Sequence, residues 1–330
     1  MNLLYLVLGL GLIFVAAELF TNAIEWFGKH LRLSEGAVGS VFAAVGTALP
    51  ETSVPLVAFI KGGGSNEEAG IGAIVGAPMM LSTLAMLVTG LAVLIFAAKG
   101  RRGKDITADY RIVGRDLRWF FLVYLMALAA ALIPHSHRPA KLAIAGALVL
   151  SYAYYVYLTI TCRDREDQEG EMRPLHFARK VARPKLRFVV TQLLASLVVL
   201  VVGARTFVDS VTSMSTAMGV SALVLSAIIT PIATELPEKL NSITWMRRRK
   251  DTLALGNITG AMVFQSCIPA AVGILFTKWQ LNTHDLTSVA IALVSAAILY
   301  LSLLRTGRLS PFVLLAGAVG YVVFLTLALS

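Results

Sequence analysis

Long apolar runs separated by short polar connections dominate the chain. A helical crossing of a bilayer core needs roughly 20 predominantly apolar residues. Ten stretches reach that length, at about 3–28, 33–60, 69–97, 116–134, 139–160, 185–210, 219–245, 252–276, 286–304 and 309–329. Backbone N–H and C=O groups find no partner in lipid, so these stretches must be helical. No segment alternates polar and apolar residues over about ten positions, as a membrane β-barrel would. The pattern predicts an all-α membrane protein of ten transmembrane helices. The first run begins at Met1 with no basic segment ahead of it and no small-residue cleavage pattern behind it, which predicts a retained helix.

Composition agrees: 57% of residues are apolar and only 15% charged. A formal charge of +10 would suggest a nucleic-acid partner in a soluble protein, but its distribution gives another explanation. Connections are numbered here from the N-terminus. Apart from Lys61, Arg138, Lys141, Arg205, Lys278 and the membrane-embedded Lys239, the 29 lysines and arginines lie in odd-numbered connections or the helix ends beside them. Basic residues collect on the cytoplasmic side, so odd connections are expected in the cytoplasm and both termini outside, in a plasma membrane such as the bacterial inner membrane. The basic excess then serves as an orientation signal and contacts anionic lipid, and no nucleic-acid partner is expected. Cys162 and Cys267 lack metal-ligand or disulfide spacing and are read as packing residues. No nucleotide loop or nucleophile–base arrangement occurs in the connections, so neither an enzyme nor a bound cofactor is expected.

The chain repeats itself. Gly46-Thr47-Ala48-Leu49-Pro50-Glu51 in the second run matches Ala233-Thr234-Glu235-Leu236-Pro237-Glu238 in the seventh, and the same offset pairs Glu18 with Arg205 and Phe20 with Phe207. Gly72-Ala73-Ile74-Val75-Gly76 in the third run matches Gly256-Asn257-Ile258-Thr259-Gly260 in the eighth. Each half contains five crossings, an odd number, so the halves enter the membrane from opposite sides and form inverted repeats. The expected organisation is a first repeat over 1–160 (motif segments 46–51 and 72–79), a cytoplasmic linker of mixed charge over 161–184, and a second repeat over 185–330 (233–238 and 256–263). Inversion carries Glu18 and Arg205 toward opposite faces. Both are expected to snorkel, with Asp209 the local partner of Arg205.

Glu51, Glu235 and Glu238 fall at mid-membrane, where each carboxylate costs at least about 2.5 kcal/mol, and cation or proton binding offsets such a cost. Proline precedes Glu51 and Glu238. Its missing N–H frees a carbonyl one turn back, and hard cations bind clusters of oxygens. Thr47 and Thr234 stand four residues before the two glutamates, on the same helix face, so Thr47, Glu51, Thr234 and Glu238 can form one central cage.

These motifs resemble the cation/calcium exchanger superfamily, the sodium/calcium exchangers and their bacterial relatives, over essentially the whole chain. Its two repeats carry Gly-Thr-Ser-x-Pro-Glu followed by Gly-Asn-x-x-Gly-Ser-Asn. The resemblance maps the family's glutamates onto Glu51 and Glu238 and its threonines onto Thr47 and Thr234. It implies a secondary antiporter with alternating access, in which calcium, sodium or protons compete for a central oxygen-lined site while the first and sixth helices slide across the core. A proton-coupled cation exchanger, a channel and a non-exchanging scaffold are the alternatives; inorganic cations and the bilayer are the implied partners.

The departures are informative. The family's serine is Ala48 in one repeat and Glu235 in the other, and Gly-Ser-Asn becomes Gly76-Ala77-Pro78 and Gly260-Ala261-Met262. Asn257 keeps the Gly-Asn position where Ala73 loses it, and Gln265 lies about two turns further on. Both amides can serve as ligands or as hydrogen bonds between helices. Lys239 follows Glu235 by four residues, a favourable order for an ion pair. It either neutralises that acid, leaving Glu51 and Glu238 as the ligand acids, or snorkels away and leaves three.

Overall fold

In a computed structural model, residues 2–61, 64–161, 173–217 and 235–329 are described, and among them every regular element is helical. Helix α1 (Asn2–Leu31) leads into α2 (35–61), whose N-cap Ser34 accepts from Ala37 N at 3.2 Å. The α2 helix opens with a π turn at Val38–Ala43. A second π turn, Leu81–Ala85, interrupts α3 (64–98) just after Pro78. Proline withdraws an amide from the helical ladder. The hydroxyls of Ser82 and Thr83 both donate to Met79 O nearby, at 3.1 and 2.6 Å, and the turn widens there. Then follow α4 (Tyr110–Leu132), α5 (Arg138–Thr161), α6 (Leu186–Ala217), α7 (Leu236–Arg247), α8 (Asp251–Phe276), α9 (Thr283–Thr306) and α10 (311–329). An Asn282–Asp285 capping box starts α9, and Gly307, at φ 64°, ends it in the left-handed conformation that glycine adopts without a steric penalty.

Six of these helices are long and apolar enough to cross a membrane: Leu3–Leu31, Gly70–Ala98, Arg138–Thr161, Leu186–Phe207, Asp251–Phe276 and Thr283–Thr306. Polar residues dilute others: α4 carries Arg115, Asp116 and Arg118, and α2 carries Thr47, Glu51 and Thr52. Leu3, Leu132, Leu150, Val198, Leu304 and Phe312 are exposed over more than half their surface, as lipid-facing residues are. The chain is an integral membrane protein.

Burial separates centre from periphery. Helix α8 is buried along 83% of its most apolar stretch, whereas α1 and α6 are buried along 28% of theirs. Those two outer helices lie antiparallel against each other. A Cβ on Gly9 would stand 2.7 Å from Phe207 N, and one on Gly203 would stand 3.0 Å from Ile13 N, so glycine permits this close approach. Further along, Gln192 Nε2 donates to Leu19 O at 2.9 Å and to Asn22 Oδ1 at 3.0 Å.

Candidate functional site

The site is built where α2 and α7 meet the central α8. Gly256 and Gly260 form a smooth stripe on α8 that receives the π turn of α2. A Cβ on Gly256 would lie 2.9 Å from Ser40 Oγ, and one on Gly260 would overlap the Ser40 backbone. This contact delivers Thr47 to Asn257: the Thr47 hydroxyl, also 3.1 Å from Ala43 O, donates toward Asn257 Oδ1 at 3.3 Å. Motif residues of the two halves, 210 positions apart, thus meet at the crossing.

Glu51 follows Thr47 by one turn, and its charge and that of Glu238 on α7 lie within mutual electrostatic reach. All four carboxylate oxygens of the pair are sealed from solvent, and none has a hydrogen-bond partner among the described residues. Buried polar groups are almost always satisfied, so these two carboxylates stand out as the unsatisfied charges where α2 and α7 meet α8. Glu235 differs. Its Oε2 accepts Lys239 Nζ at 3.2 Å, with the residues only 2% and 4% exposed. Lys239 therefore neutralises the added acid rather than snorkelling away. Among the described residues no cluster of three His, Cys, Asp or Glu side chains is compact enough to hold a metal ion alone, so a cation here must also draw on hydroxyl, amide or backbone oxygens. Thr234 lies outside the described residues, as does Cys162; Cys267 is a buried free thiol.

Asn257 leaves Nδ2 without a partner. Gln265 has neither amide atom paired and lines a cavity with Ile74, Tyr124, Ser266 and Trp279; Glu51 and Glu238 are not among the residues lining it. Two polar side chains passed over in the sequence belong nearby: Asn241, fully buried one turn after Glu238 with both amide atoms unpaired, and Tyr321 on α10, whose buried, unpaired hydroxyl lies within electrostatic reach of Glu235. Spacing from Glu238 would have found Asn241. No local signal marks Tyr321.

A third carboxylate supports this framework. Asp116 on α4 is fully buried: its Oδ2 accepts the hydroxyls of Ser40 at 2.6 Å and Thr259 at 2.8 Å, and its Oδ1 accepts Tyr155 OH at 2.9 Å with the Arg115 guanidinium at 3.2 Å. One side chain thereby ties α2, α5 and α8 together. At the basic end of the bundle, Arg102 forks onto both oxygens of Asp251 at 2.8 and 2.7 Å, with both side chains buried. Glu18 receives Arg248 and Arg173 at this end, the latter at 3.4 Å, while Glu25 holds Lys250 at 2.6 Å. Arg205 and Asp209 are both exposed on α6. His176 stands 4.0 Å from Glu18, and burial, then the nearby Arg179 charge, hold its imidazole below the usual value of 6.5.

A sequence profile described as "Sodium/calcium exchanger protein" matches residues 1–162 and 188–330. The uncharacterized membrane protein MJ0091 of Methanocaldococcus jannaschii is 24% identical over 303 residues, covering 90% of this chain and 88% of that protein. The putative antiporter CaxA of Alkalimonas amylolytica is 22% identical over 326 residues, or 96% of each chain. Among solved structures, the sodium-calcium exchanger NCX_Mj soaked with 2.5 mM Na+ and 10 mM Sr2+ superposes with a TM-score of 0.76 at 21% identity, covering 99% of both chains. The profile spans nearly the whole sequence outside the charged stretch between α5 and α6, and the chain belongs to the sodium/calcium exchanger protein family.

Proposed function

We propose that this protein is a secondary cation antiporter in which sodium and calcium compete for Glu51 and Glu238, with Thr47, Thr234 and Asn257 as further oxygen ligands. The observation that carries this reading is the pair of sealed, unpartnered carboxylates on α2 and α7. Coupling follows from charge. An empty site holds uncompensated negative charge at mid-membrane, which disfavours its change of side until cations enter. A site shared by competing cations then exchanges them instead of leaking them.

The architecture we assign is two inverted five-helix repeats over 1–160 and 185–330 joined by a cytoplasmic linker, with both termini outside. Support comes from the motif pairs on α2 and α7 and on α3 and α8, and from the antiparallel packing of α1 on α6. Low burial of α1 and α6 and their glycine-smoothed contact support their role as the pair that slides across the core. Calcium uptake into proteoliposomes, driven by an outward sodium gradient, tests the assignment. Glu51→Gln and Glu238→Gln should each reduce uptake at least tenfold, and full activity in both would refute the assigned ligands.

A further inference from the structure

Lys239 changes the charge count of the site. Its ammonium cannot reach water, being 4% exposed, and it is held by Glu235 Oε2 at 3.2 Å. The charges acting on Glu51 include Glu238, Glu235 and Lys239, so all four groups share one electrostatic environment. Residues 218–234 of the sequence include no charged side chain. Three carboxylates and one ammonium leave a fixed charge of two negatives, carried by the two unpartnered acids.

We infer that Lys239 is a tethered cation that permanently fills the place of one monovalent ion beside Glu235, so that the protein exchanges one divalent cation for two monovalent ones without moving net charge. The inference rests on the reading of Glu51 and Glu238 as the cation ligands. A buried charge without a counter-charge is strongly penalised, so the species that crosses is the one whose charges cancel. Against two negatives, either one divalent or two monovalent cations achieve this, and a third monovalent ion would leave a surplus positive charge.

The test uses purified protein in proteoliposomes, with membrane potential set by potassium and valinomycin. Calcium accumulation is followed to equilibrium under a sodium gradient in one arm and a proton gradient in another. For the wild type, a tenfold gradient of the coupling ion should support about a hundredfold calcium ratio that does not respond to voltage. Lys239→Met uncovers a third acid and should admit a third monovalent ion, so that the equilibrium ratio shifts about 50-fold per 100 mV, the effect of one elementary charge crossing the membrane. Glu235→Gln/Lys239→Met restores two negatives and should remove that voltage response, a reversal that loss of a merely structural ion pair would not produce. If Lys239→Met does not fold, the wild type and the double variant still decide. A wild-type ratio near a thousandfold that follows voltage would overturn the inference while leaving the exchanger intact. Absence of coupled flux in both arms would overturn the exchanger reading together with it.

Discussion

Removing the carboxylate of Asp116 should loosen the crossing that aligns the two motif helices, by an amount that its contacts allow one to work out. Asp116 accepts three hydroxyls, and hydrogen bonds to a charged group contribute about 1.5–3 kcal/mol each. Their loss is not uniform. Thr259 retains Leu255 O at 3.0 Å as an alternative acceptor, whereas Ser40 and Tyr155 would be left unsatisfied in a buried place. Two orphaned hydroxyls at about 1–3 kcal/mol each put Asp116→Ala near 4 kcal/mol. Asp116→Asn keeps an acceptor for Tyr155 and can donate to Ser40 and Thr259 if their hydroxyls rotate. Those bonds become neutral and about half as strong, so its cost is about 2 kcal/mol. For a chain of this size, 1 kcal/mol moves the unfolding midpoint by about 2 °C, giving drops near 4 °C for Asn and 8 °C for Ala in detergent. In a double-mutant cycle, Ser40→Ala should cost much less in the Asp116→Ala background than alone. Equal melting of wild type and Asp116→Asn, or full additivity with Ser40→Ala, would refute the reasoning.

Further outcomes follow from the same contacts. Arg102→Ala strands Asp251 without its buried partner and should cost about 3–5 kcal/mol, while Arg102→Met/Asp251→Leu should recover most of it; a double variant no more stable than the single by thermal unfolding would contradict this. Gly260→Ala pushes a methyl into the Ser40 backbone and should cost about 1–3 kcal/mol and depress transport. Gly146→Ala, with open space around it, should be neutral or stabilising by up to about 1 kcal/mol, and similar behaviour of the two would remove the close approach from the account. Because the folded-state value of His176 lies below its unfolded value near 6.5, the unfolded chain binds more protons at acid pH. The stabilisation from neutral His176 is complete above that pH and is lost as pH falls through the folded value. The melting temperature of wild type relative to His176→Gln should therefore be constant above pH 7 and decline toward pH 5; a constant difference across the range would count against it.

The apolar runs made the helical membrane fold legible, because lipid leaves the backbone few other solutions. The Pro-Glu motifs likewise single out Glu51 and Glu238 as candidates, since a carboxylate within a long apolar run is conspicuous. Legibility failed where meaning depended on a partner distant in sequence. Asp116 sits beside Arg115 and Arg118 at the start of an apolar run and reads as an interfacial charge; only the fold brings Ser40, Tyr155 and Thr259 onto it. Glu18 pairs with residues 155 and 230 positions away, beyond any helical periodicity. The fate of Lys239 was open because an i,i+4 spacing allows an ion pair without requiring one, and burial on both sides of α7 decided it. The π turns have no periodic signature in the sequence, although Pro78 stands just ahead of one of them.

The central claim is that Glu51 and Glu238 together hold the transported cation, and direct calcium binding to the purified protein tests it without any assumption about transport. Radioactive calcium should bind the wild type, be displaced by rising sodium, and be lost from both Glu51→Gln and Glu238→Gln while each variant remains folded by thermal unfolding. Sodium-sensitive calcium binding retained in the Glu51→Gln/Glu238→Gln protein would contradict the account.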